Sequence, residues 1–394
     1  MTSLKGDQGT ARALNRRLIL NEIRRNGPTS RARLAEQTGL SPAAITFVTT
    51  ELLQEGLLVE KGERRPIPLD IHYSGHFVLG LKLMEDRLEA VLTDLSTQIL
   101  SRITLDLPDH QPETVALYAA QAQKELCEQS GVATENLRGI GMGLPGVIDA
   151  RSGMCLSSGR FGWKNIPIAR MISEQVRLPV WVDNDVNAFA VAERLFGRGK
   201  SVSNFVVVTV GRAIGAAVVL EGKLYRGRNG GAGEFGHTLS EYRGRKCECG
   251  RLGCLEAYAS ERSILRHFQE ISPRHHNIQI EGLIRQVERR NERILNILED
   301  AGSRLGRNLA DMANLLNPDL IILGGEGVRL GEAFFEPMQA AFRERAFDCV
   351  ADELPIVIDD WGDDAWARGA AGLAAEHFFD FELQPSETAP ASNP

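Results

Sequence analysis

The chain has 394 residues, 43% hydrophobic and 25% charged, which is ordinary for a globular protein and long enough for two or three packed domains. No stretch approaches the roughly 18–20 uninterrupted apolar residues of a membrane span, so a membrane-inserted chain is excluded as an expectation. The formal net charge of −7 divides unevenly: residues 1–65 hold eleven Lys/Arg against seven Asp/Glu, and the remainder is strongly acidic. A basic head on an acidic body points to a polyanion partner for the head alone.

In chain order, residues 10–26 place Leu14, Leu18, Ile19 and Ile23 on one helical face, and Gly27-Pro28 ends the helix. Ser30 is a good N-cap for a second helix, Arg31 to Thr38, stopped by Gly39. Ser41-Pro42 restarts the chain into a third helix, with Ile45, Val48, Leu52 and Leu53 inward and Gly56 at its end. Two helices joined by so short a turn make a DNA-reading unit, with the second in the major groove. Leu57 to Glu60 reads as a strand and Lys61 to Arg65 as a basic wing. The outward face of the third helix offers Ser41, Ala43, Ala44, Thr46, Phe47, Thr49 and Thr50 to base edges. Phosphate contacts would come from Arg16, Arg17, Arg31, Arg33, Arg64 and Arg65. One such head binds weakly, so a dimer is expected. The alternative for this region is a helical bundle that contacts protein.

After a Pro-containing linker (67–76), period-two runs at 76–84, 87–95 and 98–106 predict an antiparallel meander. A helix near 112–129 precedes the strand-like 138–149. The strand 180–184 leads into the helical DVNAFAVAERLFG, and strands at 205–210 and 216–222 follow. A long helical run near 291–316 precedes the buried strand LIILGG (320–325). Strands alternating with helices argue for an α/β body. The terminal residues (381–394) read as a disordered tail. The N-terminus lacks the apolar core of a secretion signal, which predicts a cytoplasmic protein whose clustered cysteines bind metal rather than pair. Cys127, Cys155 and Cys349 stand singly and are expected to be packing residues.

The motifs GLPGVID (143–149), DNDVNAFA (183–190), GGAGEFGH (230–237), CECGRLGCLEAYAS (247–260) and PDLIILGGE (318–326) resemble those of the ROK family, over roughly residues 10–378. That family comprises bacterial sugar kinases and sugar-responsive repressors with an added DNA-binding head. The resemblance implies an actin-like two-lobed sugar kinase (ribonuclease H-like) fold, preceded by an all-α winged helix-turn-helix domain at 1–66. The small lobe would span 77–190. The large lobe would span 191–380, with a zinc site and a C-terminal helix returning to the small lobe.

His237, Cys247, Cys249 and Cys254 offer one imidazole and three thiolates, a closed tetrahedral set for a structural Zn²⁺. The family's zinc is similar. Glu248, between two cysteines, is expected to face solvent. Asn184, Asp185, Glu234, His237 and Glu256 match the family's sugar-contacting residues in the cleft between lobes, with Gly162 and Asn165 on a nearby loop. His237 would serve twice, one ring nitrogen on zinc and the other on a sugar hydroxyl. Asp185 matches the kinases' general base. Their phosphate loops are altered here: Lys82 stands for the metal-holding Asp, Met84-Glu85 for glycines, and Arg212 for a Thr. Asp185 is thus read as a vestigial base, with no catalysis and no ATP requirement.

These readings together predict a sugar-responsive repressor. Its partners would be double-stranded operator DNA, a small neutral sugar and a second copy in a homodimer or homotetramer. Some family repressors also engage a phosphotransferase-system protein. The alternative is an active ATP-dependent hexokinase with divergent phosphate loops.

Overall fold

The computed structural model describes residues 8–62, 66–272, 275, 277–351, 353–359, 362 and 365–379. Arg64, Arg65 and the expected tail lie outside the described residues. The described residues form two compact units, one within Met1–Met142, Ala169–Trp181 and Ala370–Pro394, the other within Gly143–Ile168 and Val182–Gly369.

The head opens the first unit with α1 (Gln8–Asn26), α2 (Arg31–Thr38) and α3 (Pro42–Gln54). Its caps follow from local chemistry. The Ser30 hydroxyl accepts from the Arg33 amide, Gly39 closes α2 at φ +69°, and the Ser41 hydroxyl accepts from the Ala44 amide. Ile19, Leu20, Ile23, Leu34, Ile45, Val48 and Leu52 fill the core. Leu14 and Leu18, expected inside, are 52% and 46% exposed, and Leu53 is only half-buried. Several apolar positions on α1 could have faced inward, and the packing of α2 and α3 selects the stripe through Ile19, Leu20 and Ile23. Strand β1 (Leu58–Glu60) pairs antiparallel with β2 (Leu69–Ile71), and Leu69 also exchanges both backbone hydrogen bonds with Thr29. Residues 67–76 are therefore not a free linker, because β2 builds the wing.

Strands β3 (Phe77–Leu83), β4 (Arg87–Asp94) and β5 (Ile99–Asp106) form the expected antiparallel meander. Helix α4 (Pro112–Ser130) follows and ends at Gly131 in the left-handed region. The apolar run at 138–149 is broken at Pro145-Gly146 into β6 (Leu137–Leu144) and β7 (Val147–Asp149). β7 joins β8 (Met154–Ser158) and β9 (Trp163–Ile166) in a small antiparallel sheet. Helix α5 (Ile168–Val176) leads to β10 (Val180–Asn184), which completes the sheet order β10-β6-β3-β4-β5.

The second unit continues with α6 (Asp185–Phe196), β11 (Phe205–Val210), β12 (Ile214–Leu220) and β13 (Lys223–Tyr225). A long irregular segment then reaches α7 (Glu256–Ala259), followed by α8 (Glu261–Ile271), α9 (Ile280–Glu288) and α10 (Glu292–Leu316). Strand β14 (Leu320–Gly324), α11 (Glu332–Arg345), α12 (Asp348–Ala351), β15 (Ile356–Ile358) and α13 (Ala365–Phe379) close the chain. The sheet order is β13-β12-β11-β14-β15, with β11, β14 and β15 parallel. Both faces are covered: Val206, Val208, Ile321 and Leu323 pack with α10, whereas Phe205, Val207 and Ile322 pack with Phe189 of α6. That double burial explains why FVVVTV and LIILG read as continuous apolar runs. On α10, a Cβ at Gly302 or Gly306 would collide with the Phe334 or Met338 carbonyl of α11, so glycine permits the close crossing.

Candidate metal centre, effector site and DNA-reading head

The second unit gathers its chemistry on the segment between β13 and α7. A single 3-10 turn (Phe235–His237) is anchored by the buried Phe235 and presents His237. The cysteine knuckle is closed by backbone bonds from Cys247 N to Arg251 O (2.8 Å) and from Gly250 N to Cys247 O (3.0 Å). Gly250 sits at φ +88°, and a Cβ at Gly253 would collide with the Glu241 carbonyl, so these two glycines are required by the turn. His237 Nδ1 lies 3.7 Å from Cys247 Sγ, and Cys249 Sγ lies 3.7 Å from Cys254 Sγ. All four ligand atoms fall within 4.8 Å of one another. A tetrahedral site with Zn–S near 2.3 Å requires ligand separations of about 3.8 Å, so the donor set fits a single tetrahedral cation. Burial pushes the Cys247 thiol up to about 12, and a bound cation reverses that preference by favouring the thiolate.

The same loop has a second support that does not involve the cysteines. The Tyr258 ring lies under the guanidinium groups of Arg304 (4.1 Å) and Arg245 (4.9 Å), and its hydroxyl accepts from the Arg245 amide at 2.6 Å. Arg304 also pairs with Glu241 at 2.9 Å. Glu248 is exposed as expected, and it pairs with Arg262 at 2.6 Å.

The expected sugar-contacting residues all lie in this unit, and their side chains are held from behind. His237 aims its ring nitrogens in opposite directions, Nδ1 to Cys247 and Nε2 to Glu234 Oε2 at 3.7 Å. Glu256 opens α7, and its Oε2 accepts from the Ile214 amide at 3.1 Å. Asn184 caps α6: its oxygen accepts from the Val186 amide (2.9 Å), and its NH₂ donates to the Gly146 carbonyl (3.1 Å). One amide hydrogen of Asn184 is left over by those bonds. Asp185 accepts from the Val186 amide at 3.0 Å. Gly162 (φ +69°) and Asn165 (φ +52°) shape the turn around β9 with left-handed backbone.

Sequence reasoning missed Asp183 and Arg226. Asp183 is fully buried and accepts from Asn187 Nδ2 (2.8 Å) and Arg226 Nε (2.7 Å), tying the β10–α6 junction to the start of the segment that carries the His–Cys cluster. The signal was present in Asp-Asn-Asp before a helix, since only one of three such residues can be the N-cap.

Lys82 and Gly211, in the stretches aligned with the kinases' phosphate loops, have structural surroundings of their own. Lys82 is buried within β3, in register with Glu89 of β4. Gly211, in the β11–β12 turn, abuts the Glu326 carboxylate so closely that a Cβ there would collide with it. Glu326 in turn accepts from Trp366 Nε1 at 2.8 Å. Arg212 is exposed beside this turn.

On the head, Ser41, Ala43, Thr46, Phe47 and Thr50 of the α3 face are exposed, and Ala44 is half-buried. Thr49 is an exception: it is fully buried, donates to the Ile45 carbonyl (2.8 Å) and accepts from Arg31 Nε (3.2 Å), so it cannot reach a base edge. Arg31 reaches Glu60 as well, at 3.4 Å. Arg16 is engaged by Glu55 at 2.7 Å, which holds that carboxyl below its ordinary value. Arg33 is exposed at the start of α2.

The ROK family model matches residues 78–377. This chain belongs to the ROK family. A winged helix-turn-helix DNA-binding model matches residues 12–59 of this ROK protein. The chain is 28% identical over 380 residues to the xylose repressor of Bacillus subtilis (strain 168), covering 95% of this chain and 98% of the relative. It is 26% identical over 365 residues to the DNA-binding transcriptional dual regulator NagC of Escherichia coli (strain K12), covering 89% and 90%. A crystal structure of a ROK family transcriptional regulator, a homologue of the E. coli MLC protein, superposes with a TM-score of 0.83 at 25% identity, over 94% of this chain and 97% of that one. The ROK protein described here thus has the mixed α/β sugar-kinase-like fold with N-terminal winged helix-turn-helix helices.

Proposed function

We propose that this protein is a sugar-responsive DNA-binding transcriptional repressor, acting in the cytoplasm as a homodimer or homotetramer. The observation that carries this reading is the joining, on one chain, of a winged helix-turn-helix to a ROK domain. The Glu326 carboxylate, which accepts from Trp366 beside Gly211, would repel a triphosphate. The alignment with repressors over nearly the full chain supports the same conclusion.

Two copies would read a pseudo-palindromic operator with half-sites about 34–36 Å apart or a multiple of that. Thr46, Phe47 and Thr50 would face bases, and Arg33 would contact phosphate. His237, Cys247, Cys249 and Cys254 would hold one Zn²⁺. When bound, the ion neutralises the thiolates and fixes the loop that carries His237 and Glu256. Asn184, Asp185, Glu234, His237 Nε2 and Glu256 would grip adjacent hydroxyls of a neutral sugar. Relatives of this chain are named for xylose and for N-acetylglucosamine, and both are neutral sugars. The sugar must favour one state of the protein to switch transcription.

Fluorescence anisotropy with duplex DNA from the gene's own promoter region tests this reading, with D-xylose, N-acetyl-D-glucosamine, D-glucose and their phosphates added in turn. Salt-sensitive operator binding weakened by a free sugar, with no ATP turnover, is the expected result. The hexokinase reading is favoured by one observation, the retention of Asp185 at the start of α6. Sugar phosphate formation that disappears in Asp185→Asn would establish it instead.

A further inference from the structure

Gly56 lies in the turn that ends the proposed DNA-reading helix, and its carbonyl is the meeting point of two histidines outside the head's own helices. His72 Nδ1 lies 3.2 Å from this oxygen, and His76 Nε2 lies 3.0 Å from it. The His72 amide also donates to the Leu57 carbonyl at 2.9 Å. A carbonyl oxygen has two lone pairs, so it can accept from both rings at once. His76 is almost fully buried, immediately before β3, and its other nitrogen is engaged too: Arg138 Nε donates to His76 Nδ1 at 3.1 Å.

Those contacts determine the tautomer. Arginine can only donate, so His76 Nδ1 must be the acceptor, and the ring proton sits on Nε2, directed at Gly56. Burial, which pushes the His76 imidazole below its ordinary value, keeps the ring in the neutral form this relay needs. Gly56 has φ +71°, so the turn presenting this carbonyl is itself held in a glycine conformation. Arg138 stands on β6, the strand whose chain continues to Gly146, and the Gly146 carbonyl accepts the Asn184 amide. The three groups therefore connect the end of the DNA-reading helix to the strand that leads into the effector-site loop.

We propose that His76 is a positioning residue for operator recognition: the Arg138–His76–Gly56 relay fixes the orientation of the DNA-reading head on the β3–β6 sheet and transmits the effector state to it. This rests on the repressor reading for its output, whereas the docking of the head does not. A chain that merely tethered its head would leave this carbonyl to solvent. Here one neutral imidazole is shared between a guanidinium of the body and a carbonyl of the head, so a shift of β6 must move or break the bond to the turn that follows α3.

The test uses the full-length protein and three variants. His76→Phe keeps the volume and removes both bonds, Arg138→Met removes the outer bond, and His76→Gln retains an N–H able to reach Gly56. Operator anisotropy is measured with and without whichever of D-xylose and N-acetyl-D-glucosamine releases the wild type, and thermal shift reports binding of the same sugar. Allosteric factors are typically about 5–150-fold. Both His76→Phe and Arg138→Met should bring the ratio of operator affinities close to one while the sugar still binds, and His76→Gln should restore part of it. An unchanged ratio in both disrupting variants overturns the proposal. Hydrogen exchange on the same proteins is read at Leu57 and at residues 72–77. A rise of about tenfold there in His76→Phe, with β4 and β5 unchanged, supports the docking role. Unchanged exchange at those positions overturns it, and this readout decides the matter even if the wild type binds no operator and the repressor reading fails.

Discussion

Replacing Glu193 with glutamine should remove a pH dependence from the stability of this protein. Glu193 lies near the end of α6 and is fully buried. Its Oε2 accepts from the Arg198 amide at 2.6 Å, while Oε1 has no hydrogen-bond partner among the described residues. Burial, opposed by the Arg198 amide and reinforced by Asp359, raises its pKa from the ordinary 4.5 to about 7. The folded state therefore holds this proton more tightly than the unfolded chain does. Stability from the group is present below the unfolded value and is lost as pH rises through about 7. The rise from 4.5 to about 7 corresponds to about 3 kcal/mol, as an order of magnitude. The Glu193→Gln side chain keeps an acceptor for the Arg198 amide and cannot ionise. Its stability relative to wild type should climb by up to about 3 kcal/mol between roughly pH 5 and pH 8. Urea unfolding of both proteins at three pH values, followed by tryptophan fluorescence, measures that difference. A difference that stays constant across the range would refute the reasoning, because it would mean that Glu193 is not neutral in the folded protein.

Other outcomes follow from the same geometry. Elemental analysis should find one zinc per chain, and Cys254→Ser or chelation should lower the melting temperature and weaken sugar binding, since His237 and Glu256 share the metal loop. Binding of sugar at wild-type strength after complete zinc removal would contradict that link. Gly306→Ala should destabilise by about 1–3 kcal/mol, because the added Cβ collides with the Met338 carbonyl, and calorimetry will read the change. Thr49→Val should lower head stability by roughly 1–2 kcal/mol through the lost bonds to Ile45 and Arg31. Thr46→Ala should instead weaken operator binding while the head stays as stable, and the two effects are separated by comparing melting curves with anisotropy.

Much of this molecule could be read from its residues because the relevant signals are local. Ser30, Gly39, Ser41 and Pro42 punctuate α2 and α3 by capping chemistry that needs nothing distant. Strands such as FVVVTV, buried on both faces, are apolar throughout, so they stand out without a partner. The His–Cys cluster was equally visible, since His237 and three cysteines lie within eighteen residues and tight turns at Gly250 and Gly253 help to assemble them.

What the sequence could not decide depended on which of several equivalent surfaces meets a neighbour. Leu14 and Ile19 are both plausible core residues of one helix, and only the docking of α2 and α3 leaves the first in solvent. Thr46 and Thr49 are the same residue type three positions apart, yet Arg31 and the head core claim Thr49. The wing needed Leu69 to return beside Leu58 and Thr29, a pairing across distant positions that short-range pattern cannot specify. The anchors behind the site are of the same kind: Arg226 to Asp183, Glu326 against Gly211, and Arg138 through His76 to Gly56. Composition and spacing pointed to a His–Cys cluster able to hold a metal, an α/β body and a winged helix-turn-helix head. The tertiary structure decided which polar groups are available to a ligand, because a buried polar group must find its partner wherever the fold brings one within reach.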